Sequence, residues 1–358
     1  ENLEYLYLDN NQITIIPNLD LSNLIEFWVY SNRIKDISNI KYLTSIKSLN
    51  ISDNQISNIS HLSKLKKIEN LNVSKNKIFD ISAFKNFKSF DLLDLSHNQI
   101  TDITALKNIS VNTELMIGQN QIIDLTPLYQ ALKRKKINFI NAFENPLIYP
   151  PTAIVMKGEI LITEWFDNII NTTKEKIIEN NQSNSKILDI GRMGLTDLSL
   201  IPELFKMQNL KELIISNEWA EYNEVEKKWI RRESQNKGLK NNIFNIPSDI
   251  AKLQNLEKLV VSGDWKSKHS SKSNNWRIID VSSLFKLKKL QFLNISNNEI
   301  HDISGITNLK HLEIAHINNN KIDKAPPLVE LKNLKEIYLS NNLIESIAEG
   351  DSWWKDSL

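Results

Sequence analysis

The chain has 358 residues, 44 basic and 43 acidic, so its formal charge of +1 gives no bulk attraction to nucleic acid or an anionic membrane. A hydrophobic fraction of 41% suits a folded core, and the lack of any cysteine excludes disulfides, thiolate metal sites and cysteine nucleophiles. No apolar run reaches the roughly 18 residues that a membrane-spanning helix needs.

A pattern starts at once. Leu3, Leu6, Leu8, Asn11 and Ile13 are followed at the same internal spacing by Leu24, Phe27, Val29, Asn32 and Ile34. The third copy is Ile46, Leu49, Ile51, Asn54 and Ile56; Ile68, Leu71, Val73, Asn76 and Ile78 come next, then Phe90, Leu93, Leu95, Asn98 and Ile100. In Leu49-x-Ile51 two apolar side chains point one way while Ser48, Asn50 and Ser52 point the other, which is strand spacing. The asparagine falls where the chain turns out of the strand. Its amide both donates and accepts, so a column of asparagines satisfies backbone groups that a tight coil would strand. The column reads Asn11, Asn32, Asn54, Asn76, Asn98, Asn120 and Asn145, and resumes at Asn298, Asn320 and Asn342, with a dominant step of 22 residues. One such unit cannot bury its own apolar face, so units stack into a continuous core. This is the pattern of a leucine-rich repeat. It predicts an α/β solenoid, a leucine-rich-repeat horseshoe with parallel strands on the concave face and short 3-10 or helical turns on the convex face. Because Glu1 falls inside a repeat, the natural protein is expected to continue upstream.

The first block of repeats runs over 1–150. Its connectors Ile34-Lys-Asp-Ile-Ser, Ile78-Phe-Asp-Ile-Ser and Ile100-Thr-Asp-Ile-Thr favour short turns or 3-10 segments. They resemble the 22-residue repeats of the internalins. Asn112 stands where an apolar residue is expected, and the extra length before Asn145 lies in Leu128–Lys136, which predicts an added helical turn.

Residues 151–185 read as a capping or linking helix followed by a polar connector. Pro150 and Pro151 suit a helix start, and Ile154, Leu161, Trp165 and Ile169 recur at helical spacing. Residues 171–185 read as the connector. A helix laid across the end of the stack, with re-entry at Leu188, is expected to let the core pass on.

The second block, 186–358, opens at Leu188 and Ile190 with Met193 in the asparagine slot. Its longer connectors, Leu200–Leu210 and Ile246–Leu256, predict more convex-side helix. Two insertions interrupt it, at about 218–242 and 264–275, each leaving just past a strand. Trp353 and Trp354 are expected either to cover the open end of the core or to pack on a domain that follows.

The run Asn145-Pro-Leu-Ile-Tyr-Pro-Pro-Thr-Ala-Ile-Val-Met-Lys-Gly resembles the segment that closes the repeat array in bacterial Roco-type multidomain proteins. Ser216–Tyr222, Arg231–Gly238 and Val261–Trp265 are similar to stretches in the repeat regions of such proteins. The resemblance implies a repeat region whose GTPase domain lies outside this sequence, and it specifies no ligand.

Catalytic signatures are missing: no G-x-x-x-x-G-K-[ST], no G-x-S-x-G and no H-E-x-x-H. Residues His61, His97, His269, His301, His311 and His316 read as surface or turn positions, and no metal site or cofactor is expected. Asp94, Glu114 and Asp189 fall on outward strand positions and read as solvated, so the chain is not expected to be an enzyme. What remains is recognition. Tyr5, Tyr7, Trp28 and Tyr30 sit side by side on the first two repeats, either as a binding cluster or as an end patch that upstream repeats cover, with Phe139 and Phe143 as a second aromatic point. Aromatic side chains of this kind dominate binding hot spots. The insertions carry Trp219, Tyr222, Trp229, Trp265 and Trp276, which either pack on the strands as a small subdomain or touch a ligand. Lys266, Lys268, Lys272 and Arg277 suit an acidic partner or a solvated surface. The expectation is a non-catalytic protein–protein interaction or sensing module of a larger cytoplasmic bacterial protein. Its partner is a protein or another domain of the same chain, with no nucleic acid, membrane insertion or small-molecule cofactor. The alternative is a secreted or surface internalin-like adhesin.

Overall fold

The computed structural model describes residues 2–223, 226–264 and 278–345. The expectations placed on Trp265, Trp276, His269, Lys266, Lys268, Lys272, Arg277, Trp353 and Trp354 lie outside the described residues. The chain divides into two compact units, Glu1–Asp167 and Asn168–Leu358.

In the first unit β1 (Tyr5–Tyr7), β2 (Glu26–Trp28), β3 (Ser48–Asn50), β4 (Asn70–Asn72), β5 (Ser89–Asp94), β6 (Ser110–Met116) and β7 (Ile140–Asn141) form one seven-stranded sheet in chain order. All pairs are parallel, and Leu6, Phe27, Leu49, Leu71, Leu93 and Leu115 lie opposite one another in register. Parallel pairing requires a crossover between strands. Between β2 and β6 each crossover runs through a short 3-10 segment: Ser38–Tyr42, Ser60–Lys64, Ser82–Asn86 and Thr104–Leu106. The Asp-Ile-Ser/Thr sequences start three of them. Asp36, Asp80 and Asp102 each accept the backbone N–H two residues on at 2.8 Å. Each segment then turns one side chain inward: Ile40, Leu62, Phe84 and Leu106 are all buried. A buried side chain of this size contributes about 1.5–3 kcal/mol.

From Asn32 to Asn145 the column asparagines bridge neighbouring repeats, whereas Asn11 bonds only within its own repeat and Asn298 Oδ1 has no partner among the described residues. Asn54 donates to Val29 O at 3.0 Å in the preceding repeat and to Ser52 O at 3.0 Å in its own, while its Oδ1 accepts Ile34 N–H at 2.9 Å. Asn76, Asn98, Asn120 and Asn145 repeat the arrangement. The residue before each of them is left-handed, with Asp53, Lys75 and His97 at φ 52°, 50° and 54°. That turn brings the amide under the strand.

The misfit at Asn112 has a local cause. The register of β5 and β6 shifts between Phe90 and Leu92, so Val111 rather than residue 112 lies opposite Phe90 and is buried. Asn112 points out and donates to Asp91 Oδ1 at 2.7 Å. The lengthened repeat carries the anticipated helix, α1 (Thr126–Lys133).

Two expectations about 151–185 are corrected. The helical run is split into α2 (Thr152–Val155) and α3 (Glu159–Gln182), with Gly158 between them at φ 98°. A period counted from Ile154 therefore does not carry across. The buried stripe of α3 is Ile162, Phe166, Ile170, Thr173 and Ile177; Leu161, Trp165 and Ile169 flank it half-buried. The polar connector is also helical as far as Gln182, because Thr173 and Ile177 continue that stripe through the Asn- and Lys-rich segment.

In the second unit β8 (Ile187–Asp189) and β9 (Glu212–Ile214) are followed by a hairpin, β10 (Glu218–Asn223) and β11 (Lys228–Glu233). Then come β12 (Lys258–Val260), β13 (Phe292–Asn294), β14 (Ile314–His316) and β15 (Glu336–Tyr338). The hairpin is an antiparallel two-stranded sheet of its own; the other six strands form a parallel sheet in chain order. The longer connectors do not form longer helices. They are 3-10 segments, Pro202–Lys206 and Ser248–Lys252. Leu204 and Met207, like Ile250 and Leu253, are buried three residues apart, which is the 3-10 period. The whole is a leucine-rich-repeat solenoid in two strand blocks.

Candidate functional site

Each parallel sheet has one face turned to the core and one turned outward. The outward face of the first sheet begins with Tyr7 beside Trp28, whose rings meet edge to face with centroids 4.9 Å apart. Trp28 Nε1 donates to Ser48 Oγ at 3.3 Å, and Tyr7 donates its hydroxyl to Glu26 Oε2 at 2.9 Å. The Glu26 carboxylate raises the pKa of Tyr7, as Asp9 does for Tyr30. Tyr5 and Tyr7 stay about half exposed, at 51% and 50%. Of the four aromatic residues expected to cluster, Tyr7 and Trp28 are in ring contact, while Tyr5 lies opposite Glu26.

Next along the sheet comes a polar stripe. Asn50, Asn72 and Asp94 are neighbours in register, and each side-chain oxygen takes both the N–H and the hydroxyl of the serine two residues on. Asp94, expected to be solvated, is in fact buried, with Ser96 satisfying its Oδ1. Beyond the stripe the face becomes apolar again. Phe139 and Phe143 are exposed at the two ends of β7, as anticipated. Half-buried Leu92 and Met116 extend that zone. Sequence reasoning missed these two, although each flanks an inward leucine at an outward strand position.

The same face of the second sheet is occupied. The hairpin lies across it. Ala220 O accepts from Asn294 Nδ2 at 3.3 Å and sits 3.3 Å from His316 Nδ1. Lys258 pairs with Glu221 at 2.9 Å. The Trp229 ring rests 4.7 Å from Tyr338 and 5.1 Å from His316, centroid to centroid. Burial alone pushes Glu221 up, but hydrogen bonds from Trp219 and Lys258 outweigh it and leave its pKa lowered.

His316 and Asp189 depart from expectation, whereas Trp219 and Trp229 take the packed reading rather than ligand contact. Trp219, a candidate partner contact, is only 7% exposed and donates Nε1–H to Glu221 at 2.9 Å. Trp229 packs on the strands, with 42% of its surface still free. His316, read as a surface residue, is 2% exposed, and burial lowers its pKa from 6.5 to about 4. Asp189 is likewise no free carboxylate. It accepts Gly191 N–H, Ser234 Oγ–H and Gln235 N–H, each at 2.9 Å.

The insertion also hides one member of the asparagine column. Asn241 donates to Ile190 O at 2.8 Å and Ile215 O at 2.9 Å, and accepts Leu195 N–H at 2.9 Å. These are the bonds that Asn54 makes, so Asn241 is the column residue of the β9 repeat, displaced to the far side of the hairpin. The run Asn241-x-Ile243 carries the signal, matching Asn54-x-Ile56.

Among the described residues no group of three or more His, Asp or Glu is placed to hold a metal ion. No helix among them is long and apolar enough to cross a membrane.

A family model described as leucine-rich repeats in two copies matches residues 1–42 and 307–350. No curated protein matches the chain. Solved structures with a similar repeat include an internalin of Listeria monocytogenes, 21% identical, covering 96% of this chain and 83% of its own, with a TM-score of 0.33. A leucine-rich-repeat protein of Leptospira interrogans is 22% identical over 99% of this chain and 82% of its own, with a TM-score of 0.38. The ectodomain of a plant receptor kinase from Arabidopsis thaliana is 18% identical over 95% of this chain and 42% of its own, with a TM-score of 0.36.

Proposed function

We propose that the chain is a non-catalytic protein-interaction module that binds through the outward strand face of its first block. One observation carries this reading. The second sheet's outward face is filled by the chain's own hairpin, whereas the first sheet leaves Tyr5, Tyr7, Trp28 and Tyr30 facing outward. Aromatic rings bury large areas while freezing few rotors, so such a cluster suits a protein partner better than the polar stripe beside it. The partner is another protein or another domain of the same chain. The resemblance of Asn145–Gly158 to Roco-type proteins supports placing the module in a larger cytoplasmic bacterial protein. A secreted or surface adhesin of internalin type is the second reading, favoured by the 22-residue step with 3-10 crossovers.

Photocrosslinking in the native cell tests the surface. A photoreactive residue at position 7 should capture a protein that one at exposed Lys85 does not, and Trp28→Ala with Tyr30→Ala should abolish the capture. Equal capture from both positions would sink the reading, and capture from position 116 alone would move the site to Met116, Phe139 and Phe143. The mass and location of the native species separate the two readings: a much larger cytoplasmic protein supports the first, a surface or secreted species the second.

A further inference from the structure

Removing residues 218–240 leaves Ile215-Ser216-Asn217 followed by Asn241-Asn242-Ile243. That is the same Ile-Ser-x-Asn-x-Ile run as Ile51–Ile56 and Ile295–Ile300. The hairpin is therefore an insertion into a complete repeat, and the column bonds of Asn241 do not depend on it. Its roots are held firmly. Asn241 N–H donates to Asn217 Oδ1 at 2.6 Å and Asn217 Nδ2 to Asn241 O at 3.0 Å. Gly191 lets the returning limb come close: a Cβ there would meet Ser234 Cβ at 2.7 Å and Ser216 O at 2.1 Å. The body of the hairpin is held unevenly: Trp219 is buried and Glu221 pairs with Lys258 at 2.9 Å. Its two contacts at Ala220 O are long, at 3.3 Å, and its Trp229 ring is 42% exposed.

We propose that the strand face beneath the hairpin is a docking surface for an extended protein segment that carries an aromatic ring and a carboxylate, and that the hairpin is its resident occupant in cis. The hairpin's own contacts define the chemistry. An aromatic ring lies on Tyr338 and His316, a main-chain carbonyl sits between Asn294 and His316, and a carboxylate meets Lys258. A segment carrying these three groups competes for the same surface. The tether gives the hairpin a high effective concentration, so the surface is closed at rest. The proposal concerns a different sheet from the partner face above and stands or falls separately.

The test uses the chain lacking residues 218–240, with Asn217 joined to Asn241, and a fluorescently labelled synthetic peptide spanning residues 217–241. The shortened chain is expected to bind the peptide saturably, the full chain at least about tenfold more weakly because the tethered hairpin competes. Lys258→Glu with Tyr338→Ala should abolish binding to the shortened chain. A folded shortened chain that does not bind, or equal binding to both chains, overturns the proposal. Should the shortened chain not fold, the full chain with Trp229→Ala and Glu221→Lys serves instead. It should bind the peptide where the native chain does not, because the reversed charge on the hairpin would repel Lys258, and failure to bind overturns the proposal equally.

Discussion

At the residue scale the asparagine column carries the most weight per side chain. Asn76→Ala removes the donor to Ile51 O, Val73 O and Ser74 O and the acceptor of Ile56 N–H, all inside the stack. We expect a loss of about 1–3 kcal/mol, the usual cost of buried polar groups left without partners. Asn11 is exposed, so Asn11→Ala should cost less than about 0.5 kcal/mol. Urea denaturation checks both, and equal midpoints for the two variants would refute the column's role. His316 gives a pH dependence. Its folded pKa lies below its unfolded value, so the unfolded chain binds the proton first. Stability is then lost as pH falls through 6.5 and on towards about 4. The charged or titratable groups facing it are Glu221, Lys258 and Tyr338, the last bonded to Glu336 at 2.7 Å. Between pH 7 and 4.5 the native chain should lose about 2–3 kcal/mol more than His316→Phe; parallel stability curves for the two would contradict this. The column was legible because its spacing is local. The burial of His316 was not, because Ala220 and Trp229 arrive from a hairpin far away in sequence.

At the element scale the strands and 3-10 crossovers followed from their alternating apolar pairs and Asp-x-Ser starts. The helix was harder to read. Gly158 breaks the period, so a stripe extrapolated from Ile154 falls one residue early, and the polar residues 171–182 conceal a helix whose inner face is carried by Thr173 and Ile177. Adjacent substitutions distinguish the two registers. Ile177→Ala should cost about 2–5 kcal/mol, as for other large-to-small changes in a core. Ile178, 49% exposed, should tolerate alanine at less than about 0.5 kcal/mol. Thermal melts in the opposite order would mean that the wrong face of α3 has been placed inward. The hairpin was legible as an insertion but not as a cover. Nothing local to Trp219 or Trp229 says which strands they pack on, although packing on the strands is one of the two readings their sequence allows.

At the scale of the whole molecule, two blocks built from one repeat differ in what their outward faces offer. The first presents aromatic residues at Tyr5, Tyr7, Trp28 and Tyr30 and again at Phe139 and Phe143, separated by a satisfied polar stripe. The second closes its face with Glu221, Trp229 and the carbonyl of Ala220. On the proposed reading, the sign and placement of these groups, not the repeat, decide where a partner lands. The most direct test is the affinity of the captured partner for two double variants. Trp28→Ala with Tyr30→Ala should weaken binding by at least about thirtyfold, the roughly 2 kcal/mol of a hot spot, while Trp229→Ala with Tyr338→Ala leaves it within about twofold. A partner that tolerates the first pair of changes and is lost with the second would contradict the account.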